Sequence, residues 1–263
     1  MQPETSRYPR ASVVSSFLIT KGALVDETYT VLKSWDFNRS RNENLAHMRE
    51  TNSIGGSSAD WLRDVYKVLH RRFEPNGRDR ALALLAKQGV SYDLFKPILL
   101  WHITRDEFLL RDFLLHWLFP RLQQGIVRVR TSDVLPYLKE LHPKGRIQAP
   151  WTQSTEARIA GGLLKMAVDF ELMKGTVTRE FIPYHLPENA FLFVLHAMAE
   201  LESNPRNLVH SPDWRLFLMD TPDVERELLR LHQFRRLRYE AAGSLVELKL
   251  PFSSAEAFIR GTV

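Results

Sequence analysis

From near the N-terminus to about residue 123, apolar positions recur at helical spacing; beyond that, short alternating runs interleave with further helical stretches. Phe17 to Trp35 predicts a helix with Leu24, Val25, Tyr29, Leu32 and Trp35 on one side, and Asn38 to Asn52 a charged helix around Leu45 and Met48. After the Gly55-Gly56-Ser57-Ser58 break, Ser58 is placed to cap a helix from Ala59 to Phe73 whose apolar set is Trp61, Leu62, Val65, Val68 and Leu69. Its other face carries Arg63, Lys67, Arg71 and Arg72. Arg78 to Lys87 stops at Gly89, and Tyr92 to Trp101 should be kinked or divided by Pro97. Thr104-Arg-Asp-Glu107 reads as a capping box opening a long helix to Phe119, ended by Pro120.

The pattern changes at Gly125. Ile126 to Arg130 is a short β-prone run, Ser132 starts a helix to Leu141, and His142 to Gly145 turns the chain. Between Trp151 and Tyr184 come a helix, a glycine stop and a short basic hairpin in immediate succession. Ser154 or Thr155 can cap that helix, Ile159, Leu163, Met166, Ala167 and Phe170 form its buried stripe, and Gly175 supplies a left-handed end. Arg158 and Lys165 sit two turns apart on the opposite face, and Lys174 lies at the exit. Val177, Arg179 and Phe181 then alternate with their neighbours until Pro183. A winged helix-turn-helix presents itself in this order, but these residues alone fit equally a core helix with a solvated basic edge and a surface ribbon. Pro187 to Leu201 is a further apolar helix, Ser211-Pro-Asp213 and Thr221-Pro-Asp223 are helix starts, and Phe234–Tyr239 with Leu245–Leu250 predicts an Arg-rich hairpin across Ala241-Ala-Gly243. The expected fold is mainly α: a helical bundle over 12–123 after a loose polar tail, then a mainly helical part over 124–263 with winged-helix-like hairpins.

Composition narrows the function classes. The 263 residues are 44% hydrophobic and 25% charged, as in a soluble globular protein. Zero cysteine removes disulfides, thiolate zinc sites and cysteine nucleophiles and fits a reducing cytoplasm. No N-terminal run resembles a signal-peptide core, and charges interrupt the apolar region Leu94–Phe119 too often for a membrane span. The net charge of +5 is unevenly spread: +3 over 61–80, +4 over 121–180 and +4 over 226–238, against −6 for the remainder. Segregation of this kind is expected of a protein with a basic face. Arginine outnumbers lysine 26 to 10, which suits bidentate phosphate contacts but equally reflects a GC-rich genome.

Enzymatic motifs are weak. Pro222-Asp223 with Glu247-x-Lys249 has the spacing of a PD-(D/E)xK nuclease, yet Thr221-Pro-Asp is better explained as a helix start and Glu247 and Lys249 as one face of a hairpin strand. The nine histidines show no zinc spacing, and His116 and His196 fall in dense apolar helices as core residues. No P-loop or dinucleotide fingerprint is present, and Gly161-Gly162 lies inside a helix, where it would permit close packing. Trp61, Trp101, Trp117, Trp151 and Trp214 fall on apolar faces and read as core, not base-stacking, residues.

Several segments, in order, resemble one family. They are Gly22-Ala-Leu24 through Trp35-Asp36, Asn44-Leu45, the helix ending Leu69-His-Arg-Arg72, Trp151 with Arg158, Gly162-Leu-Leu164, Asp169-Phe170 before Leu172, Phe191 to Leu195, Trp214 to Phe217, and Ala242-Gly-Ser244. In these the chain is similar to the BrxA proteins of BREX, the bacteriophage-exclusion defence systems. The resemblance implies a cytoplasmic, non-enzymatic defence component with a NusB-like N-terminal domain, binding double-stranded DNA and other BREX proteins, with no cofactor, metal or membrane. One position departs from the family's Asp-Phe-Gly-Leu-like stretch: here Glu171 stands in the glycine's place. On this reading Arg128, Arg130, Lys144, Arg146, Arg158, Lys165, Lys174 and Arg179, together with Arg235, Arg236 and Arg238, meet duplex phosphates. The alternative is an adaptor whose basic faces meet acidic partner proteins.

Overall fold

The structure is a computed structural model that describes Val14, Ile19, residues 21–243 and residues 245–262; the polar tail and the start expected at Phe17 lie outside the described residues. It is mainly helical with a few short antiparallel strands. Among the described residues the first full helix, α1, is Val25–Lys33, and the chain is not helical at residues 22–24, within the helix expected from Phe17 to Trp35. Gly22 (φ 79°) and Leu24 (φ 53°) are both left-handed, which interrupts the helix and leaves the Gly22 and Ala23 carbonyls for the guanidinium of Arg72. α2 (Arg41–Thr51) opens with a capping box between Ser40 and Glu43. α3 (Ala59–Arg72) is capped by Ser58, whose hydroxyl accepts from the Trp61 amide. Leu62, Val65, Val68 and Leu69 bury its apolar stripe, each contributing about 1.5–3 kcal/mol relative to exposure. Arg72, expected on the solvent face of α3, is instead fully buried against Glu107.

α4 (Arg80–Lys87) is followed by α5 (Tyr92–Thr104), which runs undivided through Pro97. The expected capping box at Thr104 does not form. The Thr104 hydroxyl donates back to the Leu100 and Trp101 carbonyls, and the Glu107 carboxylate is taken by Arg72. Pro120 does not end the next helix either: α6 (Phe108–Phe113) passes through a π turn at Leu114–Leu118 into α7 (Phe119–Gln123), with Pro120 in the first turn of α7, where its missing N–H costs little. Among the described residues no helix is long and apolar enough to cross a membrane.

β1 (Arg128–Arg130), α8 (Thr131–Lys139), α9 (Gln153–Asp169), β2 (Met173–Lys174) and β3 (Thr178–Phe181) follow in that order. The three strands make an antiparallel sheet of order β1-β3-β2, so both helices lie between its two edge strands in sequence. α10 (Glu188–Ala199) is buried on nearly every side and packs against α5. After α11 (Pro205–Val209) a 3₁₀ turn, Pro212–Phe217, is capped by Ser211 as expected. α12 (Thr221–Gln233) is capped by the Asp220 carboxylate and not the Thr221 hydroxyl, because Asp220 is the residue in extended conformation before the helix. The hairpin of β4 (Arg238–Ala242) and β5 (Leu245–Lys249) is shorter than expected: Arg235 is left-handed (φ 57°), so Phe234–Leu237 turns out of α12 and adds nothing to the strand. α13 (Ala255–Thr262) returns to pack on α4 and α10. One continuous apolar core, from Ile19 to Ile259, therefore joins the segments on either side of residue 124.

Candidate nucleic-acid interface

Most of the candidate cations lie on or around the β1-β3-β2 sheet and α9. α9 forms as its apolar stripe dictates, with Ile159, Leu163, Met166, Ala167 and Phe170 all buried. Its cap is Thr152, whose hydroxyl accepts from the Thr155 amide, one turn earlier than Ser154 or Thr155 would place it. Its end is not Gly175. Glu171 takes the left-handed position (φ 61°) just beyond the last turn, the place where glycine is ordinarily favoured. Gly175 (φ 99°) serves the β2–β3 turn, where any Cβ would strike the Thr178 carbonyl. The Glu171 carboxylate is held by Lys96 at 2.5 Å. Glu171→Gly is expected to raise stability by about 0.5 kcal/mol in urea unfolding, because relief of a left-handed penalty of about 1 kcal/mol outweighs the few tenths from a solvent-exposed ion pair.

The sheet sorts its charges by face. Cross-strand partners are Arg128 with Glu180, Val129 with Arg179, Arg130 with Thr178, and Lys174 with Glu180. Arg128, Arg130 and Lys174 thus share the exposed face with Thr178 and Glu180, while Val129 and Met173 are buried on the other. On that exposed face Glu180 lies between two cations, 2.6 Å from the Arg128 Nε and 3.9 Å from the Lys174 Nζ. Arg130 is less compensated; its Nε donates to the Thr178 hydroxyl at 3.3 Å. Arg179 is on the inner face. It donates to the Thr131 hydroxyl and the Val177 carbonyl, tying the hairpin to the start of α8, and burial holds its guanidinium below the usual arginine range.

α8 packs along α9, and β2 against the end of α9. The loop between the two helices carries Lys144 and Arg146, both exposed; Lys144 lies 3.8 Å from Glu140 and Arg146 over the Phe108 ring. On α9 itself Arg158 is exposed and makes no hydrogen bond or ion pair among the described residues. Lys165 is exposed too, but is paired with Asp169 at 2.8 Å and borders a cleft lined by Lys21, Asp26, Glu27, Tyr92, Lys96 and Glu171. Ile19 and Gly22 lie against this half of the helix. A Cβ on Gly162 would fall 2.8 Å from the Ile19 carbonyl oxygen, so this glycine permits a close approach within the chain.

The C-terminal arginines are mostly engaged elsewhere. Arg236 pairs with Glu188 at 3.0 Å, and Arg238 pairs with Glu240 and Glu247; only Arg235 is exposed without such a partner among the described residues. The nuclease-like spacing comes apart: Asp223 closes the α12 capping box and pairs with Arg226, while Glu247 pairs with Lys249 on the hairpin. Among the described residues no three His, Cys, Asp or Glu side chains are grouped to hold a metal ion. His196 is buried, with Nδ1 at 2.7 Å from the Leu192 carbonyl, whereas His116, expected in the core, is exposed on the outer side of the π turn. His102 is buried against Asp79, and burial pushes its imidazole below the usual range despite that partner.

Comparison with known proteins places this arrangement. A family model described as BrxA matches residues 15–196, which take in α1 through most of α10 and so the whole β1–β3 unit. No curated protein matches the chain. No solved structure does either. The match spans well over half of the sequence, and the chain belongs to the BrxA family of BREX-associated antiviral defence proteins.

Proposed function

We propose that this protein is a non-enzymatic, cytoplasmic accessory component of BREX defence that binds duplex DNA, mainly through phosphate contacts. The observation that carries the reading is the strand-helix-helix-strand-strand order of residues 128–181 with sheet order β1-β3-β2. That order supports a winged helix-turn-helix reading, in which α9 is the helix offered to the groove and the β2–β3 hairpin the wing. Arg128 and Arg130 on β1 and Lys174 on the wing, together on the sheet's exposed face, with Arg158 on α9, are the cations placed to meet phosphates. The helices α1–α7 ahead of this unit are the NusB-like part. Phosphate contact confers affinity with little sequence choice. The unaltered chain is therefore expected to bind unrelated duplexes alike, with affinity falling steeply as salt rises from about 50 to 200 mM. Fluorescence anisotropy on labelled duplexes checks this, and salt-independent or absent binding refutes it.

A second reading, an adaptor that assembles the defence complex, draws on Leu229 and Phe234 near the end of α12, which are 50% and 66% exposed. Large apolar side chains held in solvent suit a protein contact. Capture of BREX partners from nuclease-treated lysate by the unaltered chain, lost on Leu229→Ser/Phe234→Ser, would favour it.

A further inference from the structure

α9 contains two adjacent glycines, and the fold accounts for only one. Gly162 lies under the Ile19 carbonyl and admits no side chain without displacing it. Gly161 is different: among the described residues a Cβ there would meet nothing within 4 Å. Glycine inside a helix costs about 1 kcal/mol relative to alanine, and among the described residues no contact of a Cβ at this position offsets that cost. Gly161 is half-buried on the side of α9 that carries the exposed Arg158 and Lys165, one turn after the first and one turn before the second, with the exposed Ala157 in the preceding turn.

We propose that Gly161 is the point of closest approach between α9 and its ligand, a sugar-phosphate backbone of duplex DNA that comes to van der Waals distance from the helix backbone while Arg158 pairs with an adjoining phosphate. This rests on the DNA-binding reading above and fixes which part of α9 does the work. Electrostatics select the direction. Beyond Lys165 the stripe runs into Asp169, Glu171, Asp26 and Glu27, which outnumber Lys21, Lys96 and Lys165 around the same cleft, and Ile19 and Gly22 lie against it. Each of those lysines is already paired with a carboxylate, so the cleft offers phosphate less than the start of the helix does. Toward the start of the helix the exposed positions Gln153, Ser154, Ala157 and Arg158 carry no carboxylate, and Glu156 is buried. The duplex therefore lies over the first half of α9, between Arg158 and the sheet cations Arg130 and Lys174, and Arg158 meets a phosphate there.

The test separates fold from contact. Gly161→Ala is expected to raise Tm by roughly 2–4 °C, the shift of an added helix former in a chain of this size. Gly161→Leu is expected to keep the parent's Tm or exceed it, yet to weaken binding of a 20-base-pair duplex about tenfold. If Gly161→Ala lowers Tm, the glycine serves the fold and the proposal fails. If the parent binds duplex, Arg130→Glu/Arg158→Glu abolishes that binding and Gly161→Leu leaves it unchanged, the proposal fails while the DNA reading stands. If the parent binds no duplex, both fail together; if Gly161→Leu then also loses a captured defence protein, the close contact belongs to that protein.

Discussion

Arg72→Met is expected to lower the unfolding free energy by about 3–5 kcal/mol and Tm by roughly 10 °C. The Arg72 side chain is fully buried, with its Nε 3.3 Å from a Glu107 oxygen, and its two terminal nitrogens donate to the Ala23 and Gly22 carbonyls at 3.2 and 3.0 Å. Burial pushes the Glu107 carboxyl up and the Arg72 guanidinium down even though they are paired, so neither charge is cheap to hold. Removing the arginine strands a buried carboxyl and leaves two carbonyls without a donor. The double variant Arg72→Met/Glu107→Leu removes both charges and should recover most of the loss, since a buried pair is seldom better than apolar side chains of similar volume. Recovery stays incomplete because the Gly22 and Ala23 carbonyls remain unpaired, at about 1–3 kcal/mol each. Urea unfolding of the single and double variants checks the order, and a single variant as stable as its parent would refute it. The same substitution loosens the segment beside Gly162, so amide exchange should rise at Gly22–Leu24.

Local chemistry was legible in the sequence where a side chain acts on its own turn. Ser58 caps α3 as its hydroxyl and spacing suggest, and the buried stripe of α9 is the one its periodicity marks. Sequence spacing failed wherever a distant group claimed a local one. Thr104-Arg-Asp-Glu107 has the letters of a capping box, but Glu107 is drawn to Arg72, 35 residues away in the chain. Gly175 looks like a helix stop, yet the left-handed residue is Glu171, whose carboxylate finds Lys96 across 75 positions. The candidate site divides in the same way. The alternation of Val177, Arg179 and Phe181 marks a strand, but that strand's longest pairing is with Arg128–Arg130, some fifty residues earlier. Only this pairing reveals that Glu180 sits between Arg128 and Lys174, and that Arg179 faces inward. Alternation does place Arg179 and Glu180 on opposite faces; which face is buried depends on Val129 and Met173 and cannot be read from the hairpin alone.

These pairings also decide which cations matter most, and so the size of the largest functional effect. Arg128 and Lys174 share Glu180, Lys165 is held by Asp169, Arg236 by Glu188, and Arg179 is spent on the hairpin. Of the cations on the sheet and α9, Arg130, with one neutral hydrogen-bond partner, and Arg158, with none among the described residues, remain to meet a polyanion. Arg130→Glu/Arg158→Glu is accordingly expected to weaken duplex binding about 10²-fold at low salt and to flatten the plot of log affinity against log salt by about two. Both side chains are exposed, so unfolding free energy should stay within about 0.5 kcal/mol of the parent. Glu180→Gln acts in the opposite sense. It releases Arg128 and Lys174 from a carboxylate on the same face and removes a charge that repels phosphate, so binding should strengthen several-fold and the salt dependence steepen. A contact surface located elsewhere would leave the double reversal and Glu180→Gln without effect. An adaptor that binds acidic proteins would respond to the same charges but show no salt-dependent binding to naked duplex, so anisotropy titrations of the three proteins, at several salt concentrations and with fold verified by thermal unfolding, separate the wing and α9 from both alternatives.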